Sequence, residues 1–564
     1  MKSLKTAICT IALACVAAVV PTSQAQTLKV LTAGSSAQFG PFAVAAYALA
    51  KAGGASAFHY TFKTGGANCG SATAGYLCIK DNRGVNSAPL EPANVWVVWS
   101  TNGIWAYASV DSVVGVRSFL SFPRATVSMS ALANLTVTLP SNYLYWNDST
   151  NDTAMTTTVY NALNNAVLTS ANTDIRPEDA LWSTNYVLSK GYSKTVPVKS
   201  YFSSAIANPI AFSLATGVAD PVSGQTIPAA NAWITYPVGA APIVFLANTT
   251  NLSAATSITQ PNAAKMFSGG GCTGDLIGLS ASLALSPILR EPLSGTYNTA
   301  EFTTLNPNSG GNATPQEKGI TTSTNPANVA CGSGFRDRAI GTGEMVKAVQ
   351  GNTGLLHVAT NPVGYAFFSY ESVGGNAAYK YLKLGTVDPL AFTGGPVYST
   401  GALPTCGSGS GFLNCPIAAN ASFINLRNGT YPAWSIYRVV TDSAHATNTS
   451  ALVTEAEALV NSTIPDFVPF LPQCALVTRG VNEKGLDVYR EHFTPSGITL
   501  PYPGPNDGPV QPSVTCTKTV GTLPVLTLGG EGTTNKESGG DVGGKIVGPF
   551  TSSPSVPGLI NGRQ

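Results

Sequence analysis

The sequence has 564 residues, 44% of them hydrophobic and 10% charged, with 57 Gly and 38 Pro. That hydrophobic fraction excludes a chain disordered throughout, and the length calls for two or more packed bodies rather than one core. With 30 Lys and Arg against 28 Asp and Glu, no global field selects nucleic acid or an anionic membrane.

At the N-terminus Lys2 and Lys5 precede an apolar run from Ala7 to Val20, and a small-x-small site follows at Ser23, Gln24 and Ala25. This is the anatomy of a cleaved secretory signal over residues 1–25, and the run is too short for a membrane-spanning helix. The expectation is a periplasmic or secreted protein starting near Gln26, with no transmembrane segment in the mature chain. Removing Lys2 and Lys5 leaves 28 basic (30 minus 2) against 28 acidic residues. Eight cysteines remain after the signal: Cys69, Cys78, Cys272, Cys331, Cys406, Cys415, Cys474 and Cys516. In an oxidising compartment an even count reads as disulfides, and sequence proximity pairs 69 with 78, 272 with 331, 406 with 415 and 474 with 516. Peptide mapping after non-reducing digestion should find them oxidised; free thiols at Cys69 and Cys78 would refute this. No C-x-x-C spacing and only 4 His speak against a zinc site, and neither metal nor cofactor is expected.

Along the chain, Leu28 to Leu31 reads as a strand and Pro41 to Ala52 as a buried helix. Val95 to Val98, Trp105 to Val110, Pro242 to Leu246 and Gly364 to Ser369 read as strands, and Glu344 to Gln350 and Ala451 to Val460 as helices. This alternation predicts an α/β fold. Beyond Pro501 the chain turns to Pro, Gly, Ser and Thr, with Gly-Gly pairs at 529–530, 539–540 and 543–544. Residues 501–564 therefore read as an extension, flexible after 529. Truncation at 528 should leave the melting temperature nearly unchanged; a drop of several degrees would mean that the tail docks.

Four segments carry chemistry. Thr32-Ala33-Gly34-Ser35-Ser36-Ala37-Gln38-Phe39-Gly40-Pro41 joins the first strand to the first helix, where small residues let backbone N–H groups approach an anion or simply cap the helix. Tyr236-Pro237-Val238-Gly239 reads as a turn before the apolar strand that reaches Asn248, and Ala264 to Gly269 is a short amphipathic piece. Arg290, followed by Glu291-Pro292-Leu293 and Ser294-Gly295-Thr296, offers a guanidinium, two hydroxyls and an open backbone amide to an oxyanion or a carboxylate. The bland alternative is a paired surface Arg and an N-cap Ser. Gly341 to Val349 reads as a capped helix that leads through Asn361-Pro362-Val363 into a buried strand.

The order of these segments resembles the periplasmic phosphate-binding proteins of ABC importers. That family has a Gly-Ala-Thr-Phe-Pro-like loop, a Pro-Val central strand, a Lys-Ile-Phe-Gly-like segment, Arg-x-x-x-Ser-Gly-Thr and an Ile-Gly-Tyr-x-x-Tyr strand. The similar places here are Ala37 to Pro41, Pro242 to Asn248, Lys265 to Gly269, Arg290 to Thr296 and Val363 to Tyr370, with Tyr431-Pro432 near the end. The resemblance covers about residues 27–470. It implies a two-lobed type II periplasmic binding protein-like fold with insertions and a flexible C-terminal tail: lobe one from 27–125 and 360–500, lobe two from 126–359. It also implies a monomer that holds a small anion between the lobes and delivers it to an ABC permease. The implied ligand contacts are Ser35, Ser36, Gln38 and Phe39 in one lobe and Arg290, Ser294, Gly295 and Thr296 in the other.

The departures from the family pattern leave the anion open between phosphate, another oxyanion and a carboxylate. Gln38 stands at the loop Thr, Pro292 at the position of the carboxylate after the Arg with Glu291 adjacent, and Lys63 to Trp99 is an insertion. The family's Ser-Asp proton acceptor has its nearest match at Ser109 to Arg117, where Asp111 either accepts from the ligand or pairs with Arg117. No nucleophile motif stands out and His59, His357, His445 and His492 lie in unrelated contexts, so an enzyme is not expected. The Asn- and Thr-rich insertions and the tail keep a second class open, a secreted or surface-displayed adhesin on a binding-protein scaffold.

Overall fold

A computed structural model describes residues 26–469, apart from 64–68, 71–74, 85–89, 136–152, 203–205, 306–314, 327, 352–359, 370–372, 374–377, 392–422, 428–429 and 463–465. The signal segment, the C-terminal extension and the Cys406, Cys415, Cys474 and Cys516 pairings lie outside the described residues. Cys69–Cys78 and Cys272–Cys331 are disulfide-bonded, as sequence proximity predicts. Among the described residues no helix is long and apolar enough to cross a membrane.

The fold is α/β. Its principal strands are β1 (Leu28–Gly34), β2 (Phe58–Lys63), β3 (Asn94–Ser100), β4 (Gly103–Ser109), β5 (Ser170–Thr173), β6 (Trp233–Asn248), β7 (Ser286–Arg290), β8 (Asn328–Cys331), β9 (Gly334–Ala339), β10 (Pro362–Phe367), β11 (Tyr379–Leu384) and β12 (Trp434–Asp442). One path of hydrogen bonds runs β8-β9-β7-β10-β6-β12-β5-β1-β4-β3-β2, with β11 also on β6. The helices used below are α1 (Phe39–Lys51), α2 (Ser112–Leu120), α3 (Gly295–Ala300) and α4 (Gly341–Val349).

Successive side chains of a strand point to opposite faces, and here both faces are covered. Val30, Trp96, Val98, Trp105 and Tyr107 join α1 in one core. Their neighbours Leu31, Ala33, Val95, Val97, Trp99, Ala106 and Ala108 pack with Val113, Val116 and Phe119 of α2 in another. This is why these strands read as continuous apolar runs. Ser170–Thr173, within the 126–359 segment, pairs on one side with β1 and on the other with β12.

Strand senses locate a junction between two groups of strands. β5, β1 and β4 are mutually parallel, and β7 is parallel to both β9 and β10. β6 is antiparallel to β12 and to β10, while β12 is antiparallel to β5. Hence β6 runs with the first group and against the second. Trp233–Pro242 pairs with β12 and Ile243–Ala247 with β10, so the two groups are offset along β6. Each aims its carboxyl ends at the other. Crevices at the carboxyl ends of parallel strands are where α/β sheets bind ligands.

The turn expected at Tyr236-Pro237-Val238-Gly239 is strand, with the register slipping between Pro237 and Gly239. Pro lacks an N–H for the ladder, and a bulge accommodates that without ending the strand.

Candidate functional site

Loops from both groups meet at this junction. β1 ends at Gly34, whose φ is +147° and whose added Cβ would lie 1.8 Å from the Asn172 carbonyl. Only Gly allows β5 so close. The Ser35 N–H donates to the Asn172 carbonyl (3.0 Å). Gln38 is buried and fixed at both ends: its Nε2 donates to the Thr173 carbonyl (2.9 Å) and its Oε1 accepts from Asn172 Nδ2 (2.8 Å). The Phe39 ring packs edge-on against Tyr107 and near Trp96, whose Nε1 donates to the Phe39 carbonyl (2.8 Å). Gln38 and Phe39 thus hold the loop in place from behind, and Trp96 gives the 63–99 insertion a part in this.

From the other group, Arg290 at the end of β7 is 1% exposed. Its Nε and Nη2 donate to the two oxygens of Glu291 (3.1 Å each), Nη2 also to Asp111 Oδ1 (3.1 Å), and Nη1 to Thr342 Oγ1 (3.4 Å). Thr342 shares a hydrogen bond with Ser36 Oγ (2.9 Å). A chain of contacts therefore crosses the junction twice, at Asp111–Arg290 and at Ser36–Thr342. The paired surface Arg is excluded, because Arg290 is fully buried. Asp111 does not pair with Arg117: Arg117 Nη2 bonds Glu91 (3.1 Å). Asp111 and Arg117 lie six residues apart, outside the three- and four-residue spacings that bring side chains together on a helix. Ser294 is an N-cap, its Oγ accepting from the Thr296 and Tyr297 N–H groups (3.1 and 3.4 Å).

The sequence reading missed Asp174, which follows β5. Ser112 Oγ donates to its Oδ2 (3.0 Å) and accepts from its backbone N–H (3.2 Å). A Cβ on Gly295 would lie 2.5 Å from Ser112 Oγ and 2.8 Å from the Asp174 side chain. The Ser-Gly-Thr turn of one group thus rests directly on Ser112 and Asp174 of the other. Asp174 Oδ1 is buried and has no hydrogen-bond partner among the described residues, an uncommon and costly condition for a carboxylate oxygen.

The electrostatics are those of a crowded acidic pair around one cation. Burial and the neighbouring Glu291 charge push Asp111 well above the usual carboxylate range. Burial opposes ionisation of Glu291 too, but the Arg290 charge and the hydrogen bonds from Asp111 and Arg290 hold it below its ordinary value. The proton of the pair resides on Asp111. Burial pushes Asp174 up to about 6, against the pull of Ser35, Ser112, Gln38 and the Arg290 charge. Of the two carboxyls beside Arg290, Asp111 therefore holds a proton more readily than Glu291, and Asp174 ionises at about 6.

No protein-family model and no curated protein matches the chain. Solved structures similar to it include a phosphate-binding protein from Stenotrophomonas maltophilia (14% identity, 63% of this chain and 77% of that one, TM-score 0.28). Others are an ABC-type phosphate transport receptor from Vibrio cholerae (15%, 43% and 75%, 0.24) and PstS from Borrelia burgdorferi (13%, 39% and 66%, 0.24). The chain spans 66% of the length of the Borrelia protein.

Proposed function

We propose that the chain is an exported, non-enzymatic solute-binding protein that holds a small anion between two lobes and hands it to an ABC-type permease. The lobes follow the two strand groups, so that Ser170–Thr173 and Asp174, inside 126–359, go with β1, and Pro362–Phe367, inside 360–500, goes with β7. The anion is an oxyanion or carboxylate that carries a proton. The observation behind this reading is the pairing of Arg290, whose Nη1 retains an N–H beyond its bond to Thr342, with the orphaned Asp174 Oδ1. Donors from Arg290, Ser36, Thr296 and the Gly295 amide suit the ligand's oxygens, and Asp174 suits an O–H. An ionised carboxylate repels a fully ionised anion but accepts a hydrogen bond from a protonated one.

Calorimetry against phosphate, sulfate, molybdate and small carboxylates tests the reading, and silence across the panel would favour surface display instead. Asp174→Asn should weaken the best proton-bearing ligand about 10-fold or more, as expected for a charged hydrogen bond, and relatively favour sulfate. Equal loss for both anions would remove Asp174 from the ligand's contacts.

A further inference from the structure

Behind Arg290 runs a directed chain of buried hydrogen bonds that the ligand reading does not use. The Arg290 backbone N–H donates to Tyr365 Oη (3.2 Å), Tyr365 Oη donates to Gln316 Oε1, and Gln316 Nε2 donates to Glu301 Oε2 (2.7 Å). Glu301 opens a single turn of π-helix, Glu301–Leu305, directly after α3, a geometry often kept where a side chain must be aimed. It is 0% exposed, and its Oε1 has no hydrogen-bond partner among the described residues. Among the described residues no cation bonds this carboxyl, and its ionised form is costly there, so burial favours the protonated one.

We infer that Glu301 is a positioning residue of the candidate site: through Gln316 and Tyr365 its protonation state sets the alignment of Arg290 and thereby the affinity for the ligand. The affinity half of this rests on the anion-binding reading above; the alignment half does not. When Glu301 is ionised it accepts from the Gln316 amide, which leaves Oε1 of that amide to take the Tyr365 proton. A neutral Glu301 that turns its O–H toward Gln316 favours the reversed amide, which then donates to Tyr365 Oη. Tyr365 must move its own proton, and the acceptor facing the Arg290 N–H changes.

Among the described residues, charged groups flank this chain from several elements. Glu317, on the same turn as Gln316, adds a repelling charge, and burial with that charge places Glu301 at about 8, despite the Gln316 bonds. Arg336 Nη1 donates to the Gln316 carbonyl (3.1 Å), and Arg290 and Glu291 face Tyr365. Lys265, on the helix Gln260–Phe267 that packs against the π-turn, is exposed.

The test uses the full chain labelled with 15N-arginine, the Arg290 amide being assigned as the resonance lost in Arg290→Lys. Between about pH 6 and about pH 10 that amide should show a step centred near the Glu301 value of about 8, beside any shift from the raised Asp111 and Asp174, whose charges Arg290 also feels. The step should vanish in the near-isosteric Glu301→Gln, and in Tyr365→Phe, which cuts the chain while leaving Glu301 in place. Coinciding profiles of wild type and Glu301→Gln overturn the inference. Persistence in Tyr365→Phe overturns the relay, because the effect then travels through space. With inorganic phosphate as probe, wild type and Glu301→Gln should diverge by about 3-fold or more in relative affinity across this pH range. The ligand's own ionisation cancels in that ratio, and parallel profiles overturn the link to affinity. If the wild type binds no phosphate at any pH, the choice of anion has failed while the amide titration still decides the alignment.

Discussion

Replacing Arg290 by Ala should produce two separable losses. The first is affinity: a charge-assisted hydrogen bond contributes roughly 1.5–3 kcal/mol, so the best-binding anion should weaken about 10- to 100-fold. Arg290→Lys should not restore it, because an ammonium cannot span Glu291, Asp111 and Thr342 as the planar fork does. The second is stability. Removing one partner of a buried ion pair leaves the other uncompensated, at a cost of roughly 3–5 kcal/mol. Glu291 in the wild type is held below its ordinary value; such a group contributes stability above its unfolded pKa and loses it as pH falls through the folded one. The gap between Arg290→Ala and wild type should therefore be widest at neutral pH and close as the medium is acidified below the ordinary carboxylate range. Denaturant unfolding at several pH values, with circular dichroism to establish folding, measures this. A gap independent of pH would mean that Arg290 acts by packing, and unchanged affinity in a folded variant would remove it from the site.

The elements and half of the candidate site are legible in the sequence because they are local. Val95 to Val98 and Trp105 to Val110 carry enough β-branched and aromatic residues to stand out, and the strands run over 94–100 and 103–109, leaving Val110 just outside. The loop after β1 and the Arg290 to Thr296 run stand out as clusters of small residues and donors. What is not legible is non-local. β5 consists of Ser, Ala, Asn and Thr, with no apolar alternation. It is buried because Asn172 bonds Gln38 and Thr32, whose hydroxyl donates to Asn172 Oδ1 (2.6 Å) across 140 positions. Asp174 inherits its place from that strand and so carries no local sign of function. Asp111 misleads for the same reason, since its partner Arg290 is 179 positions away while Arg117 is close by in sequence. Pro237 and Gly239 resemble turn punctuation, and only the pairing with β12 turns them into a bulge.

Glu301→Gln should stabilise the protein progressively as pH rises. Burial raises Glu301 from an ordinary 4.5 to about 8. A carboxyl whose folded value lies above its unfolded value contributes fully below the unfolded pKa, and that contribution is lost as pH rises through the folded one. Relative to wild type, the variant should therefore gain about 1.4 kcal/mol per pH unit over this interval, reaching a plateau of ~5 kcal/mol above about pH 8. The glutamine amide adds a constant offset, because a donor now stands where Oε1 lacked a partner and an unmet buried polar group costs about 1–3 kcal/mol. The prediction is thus the slope of the difference and not its intercept. Burial also raises Asp111, Asp174 and Asp337, so the wild type alone would show a slope from all of these groups. Subtracting the two unfolding curves cancels the three aspartates, which are common to both proteins, and isolates Glu301. Urea denaturation from about pH 5 to about pH 9 supplies the curves. Parallel curves would show that Glu301 is ionised throughout and would leave the Tyr365–Gln316 chain without its switch.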